Sequence, residues 1–169
     1  MPRQSDSVDL AQAAIHTLAT NNRIDIFLVE NLSDELWSAK VPGAAKTVGA
    51  IVVHIHNVRC MWIKMLGHKL GIRPPLRLDR SRATRTESIG ALRESHAALA
   101  RILDLGLAAG GKVAGFPPDV MHFLGYFLAH DAHHRGQICL LARELGHALP
   151  KEVVIGMWHW YSRAKEAFE

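Results

Sequence analysis

The sequence predicts an all-α protein, a four-helix bundle with a short additional C-terminal helix. Apolar residues recur at helical spacing along four long segments of the chain. Residues typical of helix caps stand at the ends of these segments. No alternation of apolar and polar residues lasts long enough to build a sheet, and the β-branched run at 153–155 is short. Four long amphipathic helices bury their apolar faces best against one another.

The first half of the chain predicts two long helices joined by a loop. The first helix covers 8–31 and follows the polar residues Ser5, Asp6 and Ser7. Residues 33–37 form at most a single helical turn, because a proline and a glycine follow at 42 and 43. Thr47 is placed to cap the second helix, which continues to about residue 70, before a double proline.

The second half predicts two more long helices and a short one. Thr84 and Glu87 have the spacing of a capping box, which opens a helix that continues to about residue 106. A loop rich in glycine and proline separates it from the fourth helix, at 119–145. Gly146 is typical of a helix C-terminus, and Pro150 lies beyond it. A shorter terminal helix is predicted at 158–168.

The composition indicates one soluble domain over residues 1–169. Hydrophobic residues make up 49% of the chain and charged residues 21%, which is typical of a globular protein. The chain has neither an apolar run long enough to span a membrane nor an apolar secretory signal, so we expect a cytoplasmic protein without a membrane partner. Cys60 and Cys139 lack the spacing of a disulfide framework or of a thiolate zinc site.

The positive charge of the chain is mild. A formal net charge of +4 permits an anionic ligand but does not imply nucleic acid. Five arginines between positions 73 and 85 form either a solvated loop or a site for carboxylates or a phosphate. No aromatic residues are interleaved with them, which argues against single-stranded nucleic acid. Because the pI is about 9.3, a nucleic-acid-associated protein stays a separate hypothesis, which gel shifts at physiological salt would test.

Histidine is the unusual residue of this sequence, with eleven copies. It both binds metals and titrates near neutrality. On the fourth helix, His130 and His134 lie about 40° apart, in line with Phe127. On the second helix, His54 shares a face with Met61. Three imidazoles therefore interrupt two apolar stripes that are predicted to face the core.

This pattern leaves two interpretations open. An unpaired buried imidazole costs about 1–3 kcal/mol. A divalent cation removes that cost, because neutral imidazoles bind zinc, nickel, iron or copper, and histidines four residues apart on a helix are a standard pair of ligands. In the other interpretation, the three side chains are core histidines that are hydrogen-bonded to carbonyls, hydroxyls or water.

Two segments resemble the metal-binding helices of the DinB/YfiT-like family: residues 47–66, TVGAIVVHIHNVRCMWIKML, and residues 124–141, LGYFLAHDAHHRGQICLL. The string HDAHHRGQI is a specific match, and the terminal GMWHWYSRAKEAF is similar to the ending of one branch. The resemblance implies a helical bundle in which His54, His130 and His134 bind a divalent metal ion. It also implies a homodimer. Family members with an assigned activity are thiol-dependent transferases or isomerases, such as mycothiol-dependent maleylpyruvate isomerase and bacillithiol transferase; the resemblance implies no DNA-binding or polymerase activity.

Further polar residues fall on the predicted inward faces. His96, on the third helix, is either a general base, a substrate contact or a fourth ligand, or else a core histidine with satisfied hydrogen bonds. Gln137, one turn beyond the histidine pair, and Asn21, on the first helix, either orient a bound water or substrate or satisfy other polar groups. We expect Arg135 to point away from the metal and to pair with a carboxylate, for which Asp131, four residues earlier on the same helix, is a candidate.

The leading hypothesis is a metal-dependent enzyme that acts on a small-molecule substrate. A three-His site with an open coordination position activates either water or a low-molecular-weight thiol, and the sequence does not choose between hydrolase and transferase. No HExxH motif is present, which disfavours peptide hydrolysis. The alternative is a non-catalytic metal- or small-ligand-binding bundle whose structural ion is closed by a fourth ligand such as His96.

Overall fold

The computed structural model describes residues 7–168 and is predominantly helical. Its helices are α1 (Leu10–Glu30), α2 (Asp34–Ser38), α3 (Val48–Gly67), α4 (Arg85–Ala108), α5 (Val120–Glu144), α6 (Lys151–Gly156) and α7 (Trp160–Glu166). A 3-10 turn at His68–Leu70 follows α3. The described residues contain two isolated β-bridges and no β-strand, so the all-α prediction is confirmed. Within the same residues, no helix has both the length and the apolar character needed to cross a membrane.

The long helices α1, α3, α4 and α5 form the predicted four-helix bundle. Both α1 and α3 lie against α4 and α5, and α7 covers part of α1. Each of the four helices contributes to two buried apolar clusters. One contains Leu28, Ile51, Leu92 and Ile138, and the other contains Leu18, Ile63, Leu103 and Phe123. Each of these side chains stabilises the fold by about 1.5–3 kcal/mol through burial, so the packing of α3 against α5 is firmly held.

The start of α1 lies two residues later than predicted. The helix begins at Leu10 because the Asp9 carboxylate accepts hydrogen bonds from two N–H groups of the first turn, at 2.9 and 3.2 Å. The expected polar start at Ser5 and Asp6 lies outside the described residues. The predicted single turn is present as α2, which is capped by the Ser33 hydroxyl.

The predicted caps of α3 and α4 are confirmed. The Thr47 hydroxyl accepts a hydrogen bond from the Ala50 N–H at 3.2 Å. In the capping box of α4, the Thr84 hydroxyl accepts from the Glu87 N–H at 3.2 Å, and the Glu87 carboxylate accepts from the Thr84 N–H at 2.7 Å. Because both halves of the box are formed, α4 begins where the sequence predicts, and it continues two residues farther, to Ala108.

The C-terminal region contains two short helices where one was predicted. The fourth helix ends as expected, with Gly146 at a φ of 78°. Pro150, which we interpreted only as a residue beyond that end, directly precedes α6. The fixed φ of proline suits the start of a helix as well as the region after one. Val153 is 5% exposed, and its burial attaches α6 to the bundle.

Candidate metal centre

Three imidazoles from two helices meet on one side of the bundle. The middle of α3 contributes His54, and α5 contributes His130 and His134, one turn apart. The His134 ring centroid lies 4.6 Å from each of the other two, and those of His54 and His130 are 5.5 Å apart. One nitrogen of each ring lies within 4.8 Å of the corresponding nitrogens of the others. The packing of α3 on α5 thus brings together the three histidines that the sequence singled out.

The three rings are half-buried and border on solvent. On the same face of α3, Ile51 is 2% exposed, whereas Met61 is 44% exposed. The expectation that this whole face lies in the core is therefore wrong, because the apolar stripe reaches solvent toward the C-terminal end of the helix. The histidines lie where the stripe leaves the core, and a small molecule can approach them from outside.

A buried carboxylate fixes the orientation of His130. Its Nδ1 lies 3.2 Å from Oδ1 of Asp131, a residue with 0% exposure. The other oxygen of Asp131 accepts hydrogen bonds from Arg59 at 2.7 Å and from Asn21 at 2.8 Å. When Nδ1–H donates to the carboxylate, Nε2 keeps the lone pair that a metal ion requires. Asp131 therefore selects the tautomer of His130 that is able to bind a metal.

The charge of Asp131 is balanced inside the core. Burial acts to raise the pKa of Asp131, but the Arg59 guanidinium and the hydrogen bond from His130 bring it down to about 2. Arg59 is 1% exposed and also contacts the Asp25 carboxylate at 2.6 Å. Asp25 in turn binds Arg135. Two arginines and two aspartates thus form a neutral network behind the histidines.

The model of the DinB family matches residues 5–160 of the chain. The chain belongs to the DinB family. The matched region includes the whole of α1 to α6 and therefore all three histidines. No curated protein and no solved structure matches the sequence.

The expectation that Arg135 pairs with a carboxylate is confirmed in this DinB protein, but the candidate partner, Asp131, is wrong. Arg135 contacts Asp25 on α1, whereas Asp131 binds Arg59 on α3. Both oxygens of Asp131 already have other partners, because His130 faces one and Arg59 and Asn21 donate to the other. Asn21 satisfies another buried polar group, which was one of its two predicted roles. Its side-chain amide donates a hydrogen bond to the Asp131 carboxylate.

Gln137 contacts a histidine of the cluster. Its Oε1 lies 3.3 Å from Nδ1 of His134, one turn away along α5. Burial lowers the pKa of His134, and the hydrogen bond to Gln137 partly opposes that effect. Gln137 is therefore placed to orient His134, and its role toward a bound water or substrate stays a prediction.

His96 lies apart from the three-histidine cluster. It lines a separate cavity of about 460 Å³ together with residues of α1 and α7, among them Arg23 and Glu166. Burial, followed by the nearby Arg59 charge, lowers the pKa of His96 to about 4, so the ring is neutral at pH 7. The group of potential ligands within the described residues does not include His96, and its catalytic role stays a prediction.

A cationic side chain from the loop between α3 and α4 reaches the cluster. Nη2 of Arg80 lies 2.6 Å from Nδ1 of His54. Burial and the charges of His134 and Arg80 lower the pKa of His54 to about 4, which keeps the ring neutral in the physiological range. A neutral imidazole is the form that binds a metal ion.

The sequence interpretation missed Arg59 and Asp25 and did not separate Arg80 from the other loop arginines. A signal for the first two was present, because each charged residue interrupts an apolar helical stripe. Asp25 stands three and seven residues from the buried residues Leu28 and Leu18. Nothing comparable marks Arg80, since its position depends on how the loop folds back onto α3.

Proposed function

We propose that this DinB-family protein binds a divalent metal ion through His54, His130 and His134 and uses it in a reaction on a small molecule. The supporting observation is the approach of three imidazole nitrogens to within 4.8 Å of one another. Bonds of about 2.0–2.1 Å place the nitrogens of a zinc site roughly 3–4 Å apart, and small rotations of the half-buried rings would bring the three nitrogens to that separation. Three neutral imidazoles suit zinc, nickel or iron.

Three protein ligands leave a coordination position open, which is typical of catalytic sites. A divalent ion supplies Lewis acidity there and lowers the pKa of a water or a low-molecular-weight thiol. Asp131 and Gln137 each orient one imidazole, and the half-buried face admits the substrate. The reaction class that we propose is thiol-dependent transfer or isomerisation, or hydrolysis, carried out in the cytoplasm.

Metal analysis of protein purified without an affinity tag tests the site. We expect about one equivalent of metal in the wild type and almost none in the double variant His54→Ala, His130→Ala. The matched control is His68→Ala, His147→Ala, which removes two exposed histidines outside the cluster and keeps the same histidine count. Equal metal content in the two double variants would refute the assignment.

Cobalt substitution separates the proposed enzyme from the alternative, a bundle with a structural ion. A site with an open position changes its visible spectrum when a thiol binds, whereas a site closed by four protein ligands does not. The thiols to add are glutathione, mycothiol and bacillithiol, each followed by an electrophilic acceptor. A spectrum that stays unchanged with all three thiols, together with no hydrolysis of activated esters, would favour a structural role of the ion.

We also propose that the protein forms a homodimer through the surface of α5, α6 and α7. This surface exposes large apolar side chains: Leu140, Trp158 and Tyr161 are 47%, 76% and 76% exposed. Trp158 also lines an apolar cavity of about 350 Å³ on this surface, together with Trp160 and Cys139. Contiguous apolar surface of this kind is typical of a protein interface.

A further inference from the structure

The surroundings of the three histidines are cationic. A cavity of about 120 Å³ adjoins the cluster and is lined by Lys46, Ala50, Ile51, His54, Arg80 and His134. Two of these side chains carry a positive charge, and none is acidic. The neighbouring acid Asp131 is neutralised by Arg59 in the core. A divalent ion bound by three neutral imidazoles would add two more positive charges to this cavity.

Arg80 is held beside His54 by an anchored loop. The Asn57 side chain, 4% exposed, donates a hydrogen bond to the Leu78 carbonyl at 2.9 Å and accepts one from the Leu78 N–H at 3.0 Å. His56 donates to the Leu76 carbonyl at 2.9 Å. These bonds fix the loop to α3 two residues before Arg80, so the arginine is directed at the cluster by buried side chains.

A larger polar cleft lies next to the small cavity. It has a volume of about 540 Å³, and Arg80 lines both spaces. Arg82 and Arg85 also line the cleft, and Asp34 is the single acidic residue of its lining. Asp34 is paired with Arg85 at 2.6 Å, and Arg82 lies 3.9 Å from the Asp79 carboxylate, which leaves Arg80 to set the charge of the cleft. The two spaces together can hold a small organic molecule.

The contact between Arg80 and His54 is incompatible with a bound cation. A neutral imidazole that accepts a hydrogen bond at Nδ1 carries its proton on Nε2, so neither nitrogen keeps a lone pair for a metal. Arg80 must therefore leave His54 when a metal binds, and its charge then stands beside a dication in a cavity without carboxylates. An anion between the two relieves this repulsion, and a guanidinium binds a carboxylate or a phosphate through paired hydrogen bonds.

We propose that Arg80, assisted by Lys46, is the specificity determinant of the site and that the substrate is a small organic molecule with a carboxylate or phosphate group. The group lies between Arg80 and the three histidines, and the rest of the molecule occupies the larger cleft. This inference rests on the proposed metal site.

Binding of matched probes to the zinc-loaded protein, followed by ligand-detected NMR, tests this inference. The probes are benzoate, phenylphosphonate and the neutral benzamide, which has the shape of benzoate without its charge. We expect one of the two anions to bind and benzamide not to bind. Arg80→Gln should weaken anion binding by about 10- to 100-fold, since it removes a charge-assisted pair. Arg73 is an exposed arginine of the same loop that lines neither space. The variant Arg73→Gln should therefore bind the anion as tightly as the wild type does.

The relative affinities of benzoate and phenylphosphonate identify the group that the site prefers. Equal binding of benzoate and benzamide, or unchanged anion binding by Arg80→Gln, overturns the inference. Zinc content is measured on each sample beforehand. A protein that holds zinc but does not discriminate by charge contradicts this inference alone, whereas a wild type that holds no zinc contradicts the proposed function.

Discussion

Replacement of Asp131 by asparagine should damage both the stability of the bundle and its affinity for metal. The variant keeps the shape of the side chain but removes the charge that faces Arg59 at 2.7 Å. Its remaining oxygen should face the two donors, Arg59 and Asn21, which places the amide NH2 group, a donor, against Nδ1 of His130. Loss of one partner of a buried ion pair costs about 3–5 kcal/mol. Because Arg59 keeps Asp25 as a partner, we expect about 2–4 kcal/mol here. Loss of the hydrogen bond that orients a ligand histidine should lower metal affinity by about 10- to 100-fold.

Asp25→Asn is the matched variant that separates these two effects. Asp25 contacts the same Arg59 in the same buried network but touches none of the three histidines. Burial and the neighbouring Asp131 charge raise the pKa of Asp25 to about 6, so loss of its charge should destabilise the fold less than loss of the Asp131 charge. Asp25→Asn should leave zinc affinity close to that of the wild type. Asp104→Asn, an exposed aspartate of α4, should change neither quantity.

The assays are urea denaturation for the free energy of unfolding and competition with a chromophoric chelator for zinc affinity, both under conditions where every variant is folded. The reasoning about Asp131 fails if Asp131→Asn and Asp25→Asn bind zinc with equal affinity. It also fails if Asp131→Asn is as stable as Asp104→Asn.

Two further predictions concern pH and assembly. The pKa of His96 is lowered by burial from 6.5 to about 4, so the unfolded chain takes up a proton before the folded one; stability should fall by about 2–3 kcal/mol as the pH decreases from 6.5 toward 4. His96→Gln should flatten this part of the stability profile, measured by urea denaturation at several pH values, and a slope equal to that of the wild type would contradict the prediction. Trp158→Ser should shift the protein from dimer toward monomer in size-exclusion chromatography with light scattering, and a monomeric wild type would exclude the dimer.

The helix boundaries were predictable from the sequence because caps act locally. Thr47 and Thr84 bond to N–H groups three residues away, so the spacing alone contains the information. The start of α6 was missed because proline is compatible with both the end and the beginning of a helix. Helical periodicity also placed the three histidines on the faces of α3 and α5 that meet. It predicted wrongly that the apolar stripe of α3 stays in the core along its whole length.

The partners of the buried charges were not predictable, because they depend on contacts between distant segments. The Arg59–Asp131 pair joins residues 72 positions apart in sequence, and no periodicity identifies such a partner. The same limit applies to Arg80, which lies near His54 because Asn57 and His56 anchor the loop. The sequence indicates which helix face each charged residue lies on. Which of two nearby aspartates an arginine contacts depends on the three-dimensional packing.

The charges of Arg59, Asp25, Asp131 and Arg135 balance one another without the help of an ion. The scaffold can consequently fold first and receive its metal afterwards, unlike zinc fingers, whose chain is unstructured before loading. Chelators should strip such a protein reversibly, and its melting temperature should rise with free metal concentration only as mass action dictates. The metal ion that occupies the site then depends on which ions are available in the cell as much as on the intrinsic affinity of the site for each ion.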